Sequence, residues 1–153
     1  MNWEIPIFSS SVEETERLGA AIAAAMQKDA ALPPFLALDG DLGVGKTAFV
    51  RGFVSVISPG AAVRSPTFAL VREYPARPRP VFHFDFYRID SEEDLISIGF
   101  DDYLMRGGIC LCEWSNKIAD FLPEERLEIV IEKDDPAAPD HRKITILQRG
   151  KDA

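Results

Sequence analysis

Two cysteines and two histidines give this chain of 153 residues little with which to build a disulfide scaffold or a zinc site. The cysteines, Cys110 and Cys112, flank a single residue in an apolar run. Neighbours at that spacing point to the same side of a strand, a poor disulfide arrangement, and two thiols without histidine partners make a poor zinc site. Buried, reduced thiols on a core strand are expected, and with them a cytoplasmic setting. Basic charge is also scarce: 17 Lys and Arg stand against 25 Asp and Glu, a formal charge of −8. Nucleic-acid affinity rests largely on cations meeting phosphates, so tight unaided binding of RNA or DNA is not expected. Long apolar runs are missing too. The stretch from Leu18 to Met26 is mostly alanine and falls short of the roughly 20 apolar residues that span a membrane. The first residues, Met1 to Ile5, carry neither a basic segment nor an apolar stretch of signal length.

What is present suits a single α/β domain over residues 1–153, long enough to bury a core without disulfides. A strand is predicted from Trp3 to Phe8. Ser10 and Ser11, followed by Glu13 and Glu14, offer two versions of a capping box. The helix they start runs to about Gln27, with Val12, Leu18, Ile22 and Met26 toward its buried side. Phe35 to Leu38 is a short apolar run, as expected of a strand buried on both faces. A Gly-rich loop and a helix from about Lys46 to Ser58 follow. Strands are predicted at Phe68 to Tyr74, Val81 to Arg88 and Ile109 to Cys112, with a helix from Glu92 to Met105 between the last two. Arg126 to Glu132 and Lys143 to Leu147 read as a closing hairpin around a loop at Asp134 to Asp140. Alternating strands and helices argue for a mostly parallel sheet, with antiparallel additions at one edge.

Gly40-Asp41-Leu42-Gly43-Val44-Gly45-Lys46-Thr47 matches the P-loop pattern in full. Each fixed residue has a chemical reason. Glycines let the backbone wrap an anion with its N–H groups inward, and the helix beginning there adds the positive end of its dipole. The lysine reaches the β- and γ-phosphates, and the Thr47 hydroxyl sits on Mg²⁺. A buried strand before and a helix after complete the context, so ATP is expected as ligand, with GTP the lesser alternative.

A P-loop needs acidic partners for the metal and the attacking group. Asp85 and Glu113 each end a short apolar strand. In open α/β sheets that is where ligands bind, although a solvated strand-end carboxylate would look the same. Thr67, in Ser65-Pro66-Thr67-Phe68, is either a switch threonine sensing the γ-phosphate or part of a proline-cornered turn. His83 reads as a core histidine before a proton carrier, and Trp114 as a stacking or a packing residue. A guanine reader of the form Asn-Lys-x-Asp is absent, since Asn116-Lys117-Ile118-Ala119-Asp120 is one residue too long. A small nucleotide or metabolite kinase stays open, as does a nucleotide-dependent adaptor that does not hydrolyse.

Further stretches narrow the choice. They are Phe49-Val50-Arg51-Gly52, Ser65-Pro66-Thr67-Phe68, His83-Phe84-Asp85-Phe86-Tyr87-Arg88, Ile109-Cys110-Leu111-Cys112-Glu113-Trp114 and Leu122-Pro123-Glu124. With the P-loop and in this order, they resemble the bacterial TsaE (YjeE) family from about Ile5 to Leu147. That family supplies the ATPase subunit of the machinery that makes threonylcarbamoyladenosine in tRNA. The resemblance implies a small three-layer α/β P-loop domain with mixed strands. It implies an Mg²⁺-dependent ATPase that binds ATP or ADP and assists threonylcarbamoylation of adenosine 37. The chain would act on a TsaD–TsaB pair, which transfers the group, and meet tRNA only indirectly. By the same resemblance, Lys46 binds phosphate, Thr47 and Glu113 hold Mg²⁺, Asp85 is a catalytic carboxylate and Thr67 a switch residue. Leu42, Gly43, Val44 and Gly45 belong to the nucleotide cradle and Trp114 to the functional surface. Val12 and His141 edge the adenine pocket. Ala48 stands where the family often has a second threonine, a departure that bears on one α-phosphate contact and not on the function.

Overall fold

The computed structural model describes residues 5–41, 43–64, 66 and 70–150. They form a mixed seven-stranded sheet in the order β1-β7-β6-β2-β5-β4-β3. The strands are β1 (Ile7–Ser9), β2 (Phe35–Asp39), β3 (Val71–Tyr74), β4 (Val81–Asp85), β5 (Ile109–Glu113), β6 (Arg126–Asp135) and β7 (Ala138–Arg149). The four central strands, β6, β2, β5 and β4, are mutually parallel. Every residue of β4 and β5 is buried, which explains why their sequences are apolar almost throughout. Antiparallel strands lie at both edges, β3 on β4 and the pair β7 and β1 on β6. The sequence pointed to one such edge. The second arises because the turn at 75–80 folds β3 straight back along β4.

Strand alternation assigns the two faces. Leu36, Leu38, Val81, Ile109, Leu111, Leu127 and Ile129 point to α1 (Val12–Lys28) and α2 (Lys46–Ile57). Phe35, Ala37, Phe82, Phe84, Cys110 and Cys112 point to the other side. There they meet α3 (Glu92–Ser97), α4 (Phe100–Met105) and a 3₁₀ segment at Ser115–Phe121. Phe84, Phe86 and Phe100 form a mutually contacting triad with ring centroids 5.4–5.5 Å apart. Contacts of this kind contribute about 0.5–1.5 kcal/mol each beyond the area they bury.

Local chemistry explains where the elements begin and end. Ser11 is the N-cap of α1, accepting from the Glu14 N–H, while the Glu14 carboxylate takes the Ser10 N–H and hydroxyl. Val12 is 55% exposed and faces solvent, contrary to expectation, because it stands in the first turn, outside the α1–sheet contact. The strand expected to reach Arg88 stops at Asp85, whose carboxylate accepts the Tyr87 N–H at 2.9 Å and turns the chain. The single helix expected from Glu92 to Met105 is two, divided at Gly99 with φ 73°. The loop expected at 134–140 shrinks to a tight turn between extended β6 and β7, with Asp135 accepting the Ala137 N–H. No helix among the described residues is long and apolar enough to cross a membrane.

Helices α1 and α2 touch backbone to backbone. A Cβ built on Gly52 would lie 1.8 Å from the Glu16 carbonyl oxygen, and one on Gly19 would lie 2.1 Å from that of Phe49. Gly52→Ala should therefore cost about 1–3 kcal/mol through overpacking, read as a lower urea midpoint. A gain of about 1 kcal/mol, the helix propensity of alanine over glycine, would show instead that the helices separate freely. Burial pushes the Cys110 thiol up to about 12 and Cys112 well above its ordinary range. Both thiols should resist an aromatic disulfide reagent at pH 8 and react fully in denaturant; titration of either in the native protein would contradict their placement.

Candidate functional site

The loop between β2 and α2 could admit an anion closely. Gly43 and Gly45 have φ of 77° and 110°, a left-handed conformation that side chains with a Cβ resist. Gly45 caps α2 with no side-chain hydrogen bond. The first N–H groups of a 12-residue helix are thus left for a ligand, at the positive end of its dipole. Leu42 lies outside the described residues, as do Ser65 and Thr67, so the switch expectation has no structural counterpart here. Thr47 is half-buried in the first turn of α2, and Ala48 is buried in the core. Arg142, on β7, donates from Nε to the Val44 carbonyl at 2.8 Å and ties the loop to that strand.

The parallel register places Asp85 directly opposite Glu113 at the carboxyl ends of β4 and β5. Leu38 of β2 pairs with Glu113 on its other side, so the acids stand beside the strand that leads into the loop. Neither is a solvated strand-end carboxylate: Asp85 is 7% exposed and Glu113 4%. Burial raises the Asp85 pKa. The Tyr87 N–H opposes that shift, and repulsion from Glu113 reinforces it. Lys46 is itself 5% exposed. Burial lowers its pKa, while Glu113, Asp85, Asp39 and Asp41 favour its charged form.

Lys46 Nζ donates to the Gly40 carbonyl and lies 3.8 Å from the centre of the Trp114 ring. A desolvated cation–π contact of this sort contributes on the order of 2 kcal/mol. Trp114 has φ 59°, an uncommon conformation for a bulky residue. The Trp114 N–H donates to the Leu38 carbonyl, and the Asp39 carboxylate accepts from the Ser115 hydroxyl and the Asn116 N–H, which holds the turn. The indole also packs on Tyr87 with ring centres 5.0 Å apart.

Lys46, Asp85, Glu113 and Trp114 thus converge at one end of the central strands. Val12 and His141 are exposed at the rim beside the loop: a Cβ at Gly45 would lie 3.8 Å from Thr15, one turn on from Val12, and Arg142, next to His141, binds the Val44 carbonyl. His83 is a fully buried core histidine, as its sequence suggests, and its Nε2 also lies 2.5 Å from Glu113 Oε2. The signal was its spacing: residues i and i+2 of a strand share a face, so His83 lies on the same side as Asp85.

A family profile described as Threonylcarbamoyl adenosine biosynthesis protein TsaE matches residues 9–144. The tRNA threonylcarbamoyladenosine biosynthesis protein TsaE of Bacillus subtilis is 40% identical over 138 residues, covering 90% of this chain and 82% of its own. The protein of the same name from Treponema pallidum is 31% identical, covering 90% and 96%. The crystal structure of Bacillus subtilis YdiB superposes with a TM-score of 0.76 at 34% identity, covering 95% of this chain and 86% of that one. With the mixed sheet, the loop and the strand-end acids already in place, these likenesses settle the family: this chain belongs to the TsaE family.

Proposed function

We propose that this chain is an Mg²⁺-dependent ATPase that serves threonylcarbamoylation of adenosine 37 in tRNA. It acts on a TsaD–TsaB pair and does not transfer the group itself. One observation carries the reading: a buried lysine at an uncapped helix N-terminus, set against two buried carboxylates on adjoining strand ends. Such charges are costly to desolvate, and a fold that needed only packing would place apolar residues there. The role in tRNA modification rests on family membership and on the names its relatives carry.

Each group has a task in phosphoryl transfer. The N–H groups at the start of α2 and the Lys46 ammonium bind and orient the phosphates of ATP. Thr47 and Glu113 offer a hydroxyl and a carboxylate, the hard oxygen donors that Mg²⁺ prefers. No group of three or more His, Cys, Asp or Glu among the described residues could cage a metal. That pattern suits an ion that takes one or two protein oxygens and the rest from phosphate and water. Bound there, Mg²⁺ would supply positive charge against the phosphate oxygens. Asp85 is held by the Tyr87 N–H at Oδ1. Its raised proton affinity suits a carboxylate that orients water and accepts its proton.

Phosphate release, measured with and without TsaD–TsaB and tRNA, tests the reading. The chain alone should turn over slowly, because an arginine supplied in trans is worth about 10³–10⁵ in rate and a partner is expected to provide it. Asp85→Asn should keep ATP affinity and lose most hydrolysis. Survival within about threefold, less than about 1 kcal/mol of barrier, removes Asp85 from the chemistry. Transfer of the γ-phosphoryl group to an organic molecule from a metabolite mixture would favour a kinase.

A further inference from the structure

The alternation of β4 sends Val81, His83 and Asp85 to the face covered by α1 and α2, and on β5 the same face carries Ile109, Leu111 and Glu113. His83 pairs in register with Leu111, so its ring lies in an aliphatic layer and reaches one step along the neighbouring strand to Glu113. It is fully buried, and its Nε2 lies 2.5 Å from Glu113 Oε2. Its Nδ1 is the one buried side-chain polar atom without a hydrogen-bond partner among the described residues. A polar atom left unpaired in a core reduces stability, and a leucine at this position would avoid that loss. Packing therefore does not account for an imidazole here. The bond to Glu113 does.

We infer that His83 is a positioning residue for the metal ligand Glu113, an inference that rests on the ligand role proposed above. An ionised Glu113 carboxylate can only accept, so Nε2–H donates to Oε2. A carboxylate on a strand end has free rotation about several bonds. Anchoring Oε2 to a ring that cannot move holds the side chain in one orientation and leaves Oε1, which has no protein partner among the described residues, for Mg²⁺. Groups that orient a ligand in this way typically change metal affinity by about 10–100-fold when lost. His83 touches neither nucleotide nor reacting water in this scheme; it acts through Glu113.

The test is calorimetric titration of ADP into each variant, once in chelator and once in saturating Mg²⁺. The ratio of the two affinities is the magnesium gain. His83→Leu should keep its affinity in chelator, yet lose about tenfold or more of the gain. His83→Gln, whose amide nitrogen reaches close to the position of Nε2, should recover the gain to within about threefold of wild type. Glu113→Ala, run in parallel, separates the two ideas. If Glu113→Ala loses the gain and His83→Leu keeps it, His83 only packs and the inference is overturned. If Glu113→Ala keeps the gain, the metal assignment itself fails, and the inference with it. Should His83→Leu not fold, His83→Gln and His83→Asn decide, because the shorter amide stops near Nδ1 and cannot reach Glu113. A gain kept by Gln and lost by Asn supports positioning, and equal gains overturn it.

Discussion

The parallel pairing of β2, β5 and β4 is the constraint on which the rest of the site depends. Parallel neighbours end at the same side of the sheet, so three chain segments far apart in sequence finish together. Asp85 is held opposite Glu113, and Leu38 pairs on the other flank just before the loop. An antiparallel partner in either place would carry its carboxylate to the opposite end. The antiparallel strands are kept to the edges, where β3, β7 and β1 close the sheet without interrupting this alignment.

Burial then gives the convergence its chemistry. Lys46, Asp85 and Glu113 are each at least nine-tenths buried. Charges so placed interact in a medium less polar than water and answer strongly to one another. The lysine is held by the Gly40 carbonyl and the Trp114 ring, and Asp85 by the Tyr87 N–H. Trp114 contributes through an uncommon backbone conformation, which the bonds from Asp39 to Ser115 and Asn116 keep in place. Backbone strain of this kind persists where the surroundings over-determine it, and it gathers at functional sites.

The two sheet faces divide the labour. The α3–α4 side is an aromatic cluster around Phe100, which supplies packing. The α1–α2 side carries the polar residues, and its helices approach so closely that Gly19 and Gly52 leave no room for a side chain. That contact fixes the direction of α2, and with it the aim of the helix N-terminus beneath the loop. Arg142 adds a tie from β7 to Val44. The loop is thereby supported from both the helix pair and the closing hairpin.

The sequence by itself determined the features that depend on short-range spacing. The Gly-rich turn into α2, the cap of α1, the apolar strands and the acids ending them could be read directly, because backbone conformation and period-two alternation are local. It also led to the family through an ordered set of such stretches. Tertiary structure decided what depends on chain segments meeting. Asp85 and Glu113 looked the same in sequence as solvated strand ends, and only parallel register buried them side by side. His83 and Glu113 are 30 residues apart, so no local pattern could announce their bond. The break at Gly99 was local but went unread, because one glycine is tolerated in many helices and only the packing of α4 required its left-handed turn. Val12 and His141 share one corner beside the loop because β7 pairs with β1 next to the start of α1, a neighbourhood set by sheet order and not by spacing along the chain.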